Sequence, residues 1–194
     1  MENYYVRCVF CLTGTENTVI RRIEAQGLGH AISPRKIQPM KIQGQWIDRE
    51  TLLMPGYVFI YGDTDKPMHA LRATEGVIRV LTYGGQDNDG YLKNEDLDFA
   101  LRIRRQEGIL GKMEAVQEGD FVRITDGALR EMQGKVITMN RHRHTVQIEM
   151  AFLGDTRRIW LGYEVTEKIP EASSRLAPEK ADSPEAGKEY RLNA

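Results

Sequence analysis

Leu52-Leu53-Met54-Pro55-Gly56-Tyr57-Val58-Phe59-Ile60 carries an apolar run, a Pro-Gly turn signal, and then aromatic and β-branched residues. It predicts a loop that delivers the chain into a buried strand. Side chains alternate along a strand, so Tyr57 and Phe59 share one face. Two aromatics beside a turn serve as core or as a docking patch. Upstream, Tyr4 to Phe10 reads as a first strand, which Gly14 breaks. Glu16 to Gln26 reads as a helix with Val19, Ile20 and Ile23 on one face, Thr15 as N-cap, and Gly27 and Gly29 at its end. His30 to Pro39 contains a second short strand, and Lys41 to Arg49 a hairpin loop around Gln43-Gly44-Gln45. Downstream, Val58 to Tyr61 is a strand, Pro67 to Ala73 a short helix and Val77 to Tyr83 a further strand. Lys93 to Arg105 places Leu97, Leu101 and Arg104 at helical spacing. The order β-α-β-β-α-β-α implies an α+β domain, an antiparallel sheet with helices packed on it.

The chain has 194 residues, enough for one domain or two small ones. Its 41% hydrophobic and 28% charged content is that of a globular protein. A formal net charge of −1 gives no global basic field, so nucleic-acid contact has to come from a local patch. No apolar run approaches the roughly 20 residues of a membrane helix. Met1-Glu2-Asn3-Tyr4 lacks the features of a signal peptide. The expected compartment is the cytoplasm and the expected state a monomer.

Cys8 and Cys11 are the only cysteines, which argues against a disulfide scaffold. Their C-x-x-C spacing suits redox chemistry only where a helix opens directly after the strand, and here the helix follows Gly14-Thr15. Zinc needs about four ligands, and His142 and His144 would reach the thiols only across domains. A redox or metal protein is therefore a remote alternative, and no cofactor or metal is expected. There is no Walker loop and no G-x-S-x-G, so no enzyme is expected. Asp87, Asp89, Glu95, Asp96 and Asp98 read as a solvated loop that caps the next helix.

Gln106 to Gln117, with two glycines and mixed charge, reads as a linker. Glu118 to Ile169 reads as a small β-barrel with strands Phe121–Ile124, Gly134–Asn140, Thr145–Met150 and Arg157–Leu161. From 170 to 194, Pro, Glu, Ala, Ser and Lys dominate, a composition that predicts disorder. The expected layout is 1–106, a linker at 107–117, a barrel at 118–169 and a tail. The most local basic cluster is Arg141-His142-Arg143-His144, with Lys135 on the preceding strand and Arg157 and Arg158 in a second segment. Such a turn is a charged hairpin tip or a place where guanidinium groups pair with RNA phosphates and stack on bases. Arg21, Arg22 and Gln26 lie on the outer side of the first helix, either as a solvated face or as contacts to phosphate and extruded base.

Glu118-Gly119-Asp120-Phe121-Val122-Arg123-Ile124, then Asp126-Gly127 and Gly134-Lys135-Val136, resembles a KOW motif. With Tyr4-Tyr5-Val6, Gly14-Thr15-Glu16-Asn17 and Pro55-Gly56-Tyr57 before it, the order from Tyr4 to about Ile169 resembles the NusG family of transcription elongation factors. Leu53-Met54 stands where relatives often carry an aromatic pair. The resemblance implies an NGN domain followed by a KOW barrel, with RNA polymerase as the partner. By that resemblance Pro55, Gly56, Tyr57 and Phe59 form the depression for the β′ clamp helices, and His69 and Arg72 face the β gate loop. Arg21, Arg22 and Gln26 would hold non-template DNA, with Glu75 departing from the basic residue of some relatives. The run Arg141 to Gly154 is similar to the LoaP group of antiterminators, which implies a nascent RNA hairpin as a further partner. A housekeeping elongation, pausing or termination factor is the other reading the resemblance allows.

Overall fold

The computed structural model describes residues 5–62, 65–84, 89–118, 121–126, 135–169 and 190–191. In chain order the elements are β1 (Tyr5–Cys11), α1 (Glu16–Ala25), β2 (His30–Ile32), β3 (Arg35–Ile42), β4 (Gln45–Leu52), β5 (Tyr57–Gly62), α2 (Met68–Ala73) and β6 (Val77–Val80). There follow α3 (Asn94–Arg105), β7 (Ile109–Leu110), β8 (Met113–Glu118), β9 (Phe121–Asp126), β10 (Lys135–Asn140), β11 (Thr145–Phe152), β12 (Asp155–Ile169) and β13 (Tyr190–Arg191). Two compact units interleave along the sequence. Met1–Arg35, Thr51–Leu110 and Ala151–Arg157 form the first; Lys36–Glu50, Gly111–Met150 and Arg158–Ala194 form the second.

The first unit is built on a four-stranded sheet in the order β2-β5-β1-β6, every pairing antiparallel. The α+β expectation holds. β5 is buried at every position because both faces of the sheet are covered. Val58 and Ile60 pack with Val9, Cys11, Val19, Ile23 and Leu71 on the face of α1 and α2. Phe59 meets Phe99 of α3 on the other face, and the Tyr61 hydroxyl donates to the Ala100 carbonyl at 2.7 Å. α1 ends as its sequence predicts. Gly27 N–H bonds the Glu24 carbonyl and Leu28 N–H the Ile23 carbonyl, and Leu28 packs into the same core as Ile23. Thr15 stands at the N-cap, but its hydroxyl donates backwards to the Leu12 carbonyl and caps nothing. The acidic cluster does not cap α3 either. Lys93 is the N-cap, without a side-chain bond, while Asp96 accepts from Tyr83 Oη and Leu153 N–H. Asp87 lies outside the described residues.

The second unit contains a six-stranded sheet in the order β10-β11-β12-β8-β9-β13. β12 and β8 pair in parallel, with Tyr163 opposite Met113; β10–β11 and β8–β9 are antiparallel. Met113–Glu118, most of it within the stretch read as a linker, is a strand, whose alternation is short enough to hide among the charges around it. β12 runs far beyond Arg157–Leu161. The predicted tail lies outside the described residues, apart from Tyr190–Arg191, which pair with β9. The expected single strand at His30–Pro39 is two strands, because Pro34 offers no N–H to continue the first. The expected hairpin loop narrows to Gln43-Gly44, both at positive φ, as a two-residue hairpin turn demands.

That β3–β4 hairpin packs on β12. A Cβ on Gly162 would lie 2.7 Å from the Pro39 ring and 2.8 Å from the Ile37 carbonyl oxygen. Lys112 is held by Asp48 at 2.8 Å and Glu164 at 2.7 Å. Lys36 Nζ donates to the Trp160 carbonyl, and burial pulls its pKa from 10.5 down to about 8. Between those values the unfolded chain binds more protons than the folded one, so stability rises with pH there, and the full penalty is present below pH 8. Lys36→Met is therefore expected to stabilise the protein near neutral pH, with an advantage that shrinks as the pH approaches 10.5. Urea titrations at the two ends of that window check it; a gain independent of pH would contradict it.

Candidate functional site

The Pro-Gly loop is fixed by a side chain forty residues away. Glu16, buried at the start of α1, accepts Gly56 N–H at 2.8 Å on one carboxylate oxygen and Gly14 N–H at 2.7 Å on the other. Cys11 N–H donates to the Gly56 carbonyl at 2.8 Å. Gly56 has φ 82°, and a Cβ there would sit 2.7 Å from the Cys11 oxygen and 2.8 Å from the Phe10 ring. Only glycine brings the backbone this close to β1. Pro55 is exposed at the tip of the loop.

Tyr57 and Phe59 do share a face, and the structure buries both, at 8% and 0% exposure. Their cover is Phe152, at the start of the 151–157 segment of the first unit. Its ring meets Tyr57, Phe59 and Phe99 edge-on at 6.1, 5.7 and 5.9 Å, a geometry favourable for aromatic rings. Leu153 and Gly154, at φ 53° and 79°, turn the chain back as a two-residue hairpin. Leu153 N–H reaches Asp96, and the Arg157 guanidinium lies 5.7 Å from the Tyr57 ring centre while pairing with Asp155 at 2.9 Å. Phe152, Phe99 and Glu16 escape a reading of the sequence. Phe152 carries one signal, an aromatic two positions before a turn glycine, but nothing in sequence says which face it covers.

On the α1 side, Arg22 is clipped to the turn after α2. Its guanidinium donates to the Glu75 carbonyl at 2.9 Å and pairs with the Glu75 carboxylate at 2.8 Å. Gln26 accepts from the Thr74 hydroxyl at 3.2 Å. Arg21 is exposed, and its guanidinium lies 3.5 Å from the Thr18 hydroxyl. His69 and Arg72 are exposed on α2.

Arg141 to His144 form the turn between β10 and β11, as expected. Asn140 Oδ1 accepts Arg143 N–H at 2.9 Å, and His144 closes the turn at φ 50°. Its carbonyl accepts Tyr163 N–H at 2.9 Å. Arg141, His142 and Arg143 are exposed. The imidazole of His144 is stacked by Trp46 of the β3–β4 hairpin, with centroids 4.8 Å apart and planes 13° from parallel. Tyr163 lies 5.9 Å from His144 on the sheet. Burial pushes the Tyr163 pKa up and the nearby Arg141 charge pulls against it. Lys135 and Arg158 are not part of this group. Lys135 is opposite Glu149, and Arg158 Nε is 3.0 Å from the Glu149 carboxylate, five strand positions from the turn and so roughly 17 Å along β11. Arg157 belongs with the aromatic cluster. Trp46, about a hundred positions upstream of His144, carries no sequence signal of the pairing.

Cys8 is opposite Phe59 on β1, so it shares the α3 face, while Cys11 lies in the α1 core. Both are buried, and burial is the main cause that raises both thiol pKa values. A reactive thiol has the opposite setting, exposed and with a lowered pKa. Among the described residues no cluster of three or more His, Cys, Asp or Glu could hold a metal ion, and no helix is long and apolar enough to cross a membrane.

Residues 2–99, just over half of the sequence, match the family model described as transcription termination factor nusG. The chain is 23% identical over 178 residues to the transcription termination/antitermination protein NusG of Rickettsia conorii, covering 87% of this chain and 91% of that one. It is 24% identical to the protein of the same name from Pseudomonas aeruginosa, covering 87% of this chain and 99% of that one. A solved structure described as domain interaction in Thermotoga maritima NusG covers 82% of this chain and 94% of its own at 20% identity, with a TM-score of 0.47. The N-terminal α+β unit with its glutamate-braced Pro-Gly loop is thus the part the family model matches, and the chain belongs to the NusG family of transcription termination factors.

Proposed function

We propose that this chain binds transcribing RNA polymerase and promotes processive antitermination, recruited to particular operons by a nascent RNA hairpin, as in the LoaP branch. Residues 1–106 supply the polymerase-binding domain and residues 118–169 a KOW domain that binds RNA. Tyr57 and Phe59 are the anchors for the β′ clamp helices, since aromatic anchors dominate interface energies. Pro55 and Gly56 shape that loop, and the exposed His69 and Arg72 of α2 meet the β gate loop. Holding clamp and gate together keeps the polymerase closed and shortens its dwell at pauses and terminators. Arg21 is the α1 contact to non-template DNA; Arg22 carries less of that role because Glu75 neutralises it.

One observation carries the RNA reading: a hydrogen-bonded turn presents Arg141, His142 and Arg143 together to solvent. Arg141→Ala with Arg143→Ala is expected to weaken binding of the leader RNA hairpin and to lower the slope of log K against log salt by about 1.5, two phosphate contacts' worth. Anisotropy titrations over a salt series measure both. Unchanged affinity and slope would remove the turn from the RNA site. Binding that is weak and indifferent to the hairpin's sequence would instead favour a general elongation and termination factor.

A further inference from the structure

The β3–β4 hairpin gives the second unit a half-exposed aromatic side chain. Trp46 keeps 43% of its surface exposed. The indole lies flat on the His144 ring, which rests near Tyr163. The tier stands at the one turn where Arg141, His142 and Arg143 are all exposed. The neighbouring carboxylates of Asp48 and Glu164 are both engaged by Lys112, which reduces their repulsion of an anionic ligand. Exposed aromatic surface rimmed by cations fits a nucleic acid with unpaired bases: guanidinium groups take the phosphates, and a π face takes a base.

We infer that Trp46, stacked on His144, is a platform for an unpaired base of the RNA that the Arg141–Arg143 turn holds by its phosphates. The inference rests on the RNA reading above and adds to it a residue from the β3–β4 hairpin and a requirement for a single-stranded loop.

The probe is a labelled RNA stem-loop with unpaired adenosines in its loop, beside the same stem closed by abasic nucleotides. Both are titrated by anisotropy with the full-length protein and with Trp46→Leu, Trp46→Phe and the Arg141→Ala/Arg143→Ala variant. Trp46→Leu is expected to weaken the adenosine loop about 5- to 150-fold, the range for loss of one stacked base. It should leave the abasic loop unchanged, and Trp46→Phe, which keeps a π face, should retain most of the affinity. In a Trp160→Phe background the remaining Trp46 emission should be quenched by the adenosine loop and much less by the abasic one. If Trp46→Leu binds like the wild type while the arginine variant is weakened, the platform is wrong and the RNA reading stands. Equal weakening on both loops would assign Trp46 to holding His144 in place and would also overturn the platform. If the wild type binds neither RNA, the platform falls, and the RNA reading is decided by the leader-hairpin titration above.

Discussion

Phe152→Ala is expected to bind RNA polymerase roughly tenfold more tightly than the wild type, although it is less stable. The ring fills the face of Tyr57 and Phe59 that the proposed docking requires, so polymerase and Phe152 compete for one surface. A site that is open about a tenth of the time loses about tenfold in apparent affinity, and removing its occupant restores that factor. The same substitution removes a side chain that is 1% exposed and touches three aromatic rings, which costs about 3–5 kcal/mol of folding stability. Opposite signs for affinity and stability make this a sharp test. Polymerase titrations monitored by anisotropy, with thermal denaturation in parallel, give both quantities. A variant that lost stability and also bound more weakly would mean that Phe152 supports the docking face and does not obstruct it.

Gly56→Ala is expected to cost about 2–5 kcal/mol, combining a left-handed backbone at φ 82° with a Cβ that strikes the Cys11 carbonyl oxygen and the Phe10 ring. The added methyl cannot be absorbed by a flexible side-chain end, because the nearest atom belongs to the backbone of β1. Relief can come only by moving the loop, which breaks the bond from Gly56 N–H to the buried Glu16. Denaturant titration should show the loss, with a midpoint shift and little change in slope. Tolerance of alanine to within a few tenths of a kcal/mol would contradict this description of the loop.

Much of the first unit is legible in the sequence because its signals are local. The Pro-Gly turn, the period-two aromatics of β5 and the Val19–Ile23 face of α1 each follow from a few neighbouring residues. What escapes is set by long-range packing. Tyr57 and Phe59 read as surface or core depending on one ring, Phe152, that arrives almost a hundred residues later. The carboxylate of Glu16 reads as a helix-start charge, yet its partners are Gly14 and Gly56. The turn Arg141–His144 is visible as charge, whereas its stacking on Trp46 depends on the β3–β4 hairpin lying in the second unit. β8 escapes for a different reason: the apolar run of Met113, Ala115 and Val116 is too short, among flanking charges, to stand out before its parallel partner β12 is known.

The proposed action is on the elongating polymerase, under the direction of RNA. It is tested most directly by transcription through an intrinsic terminator with purified cognate polymerase, on templates with and without the native leader upstream. Read-through that rises on adding the protein only when the leader is present is the predicted result. A change in pausing that ignores the leader would contradict recruitment by RNA, and no effect on either template would contradict polymerase docking itself.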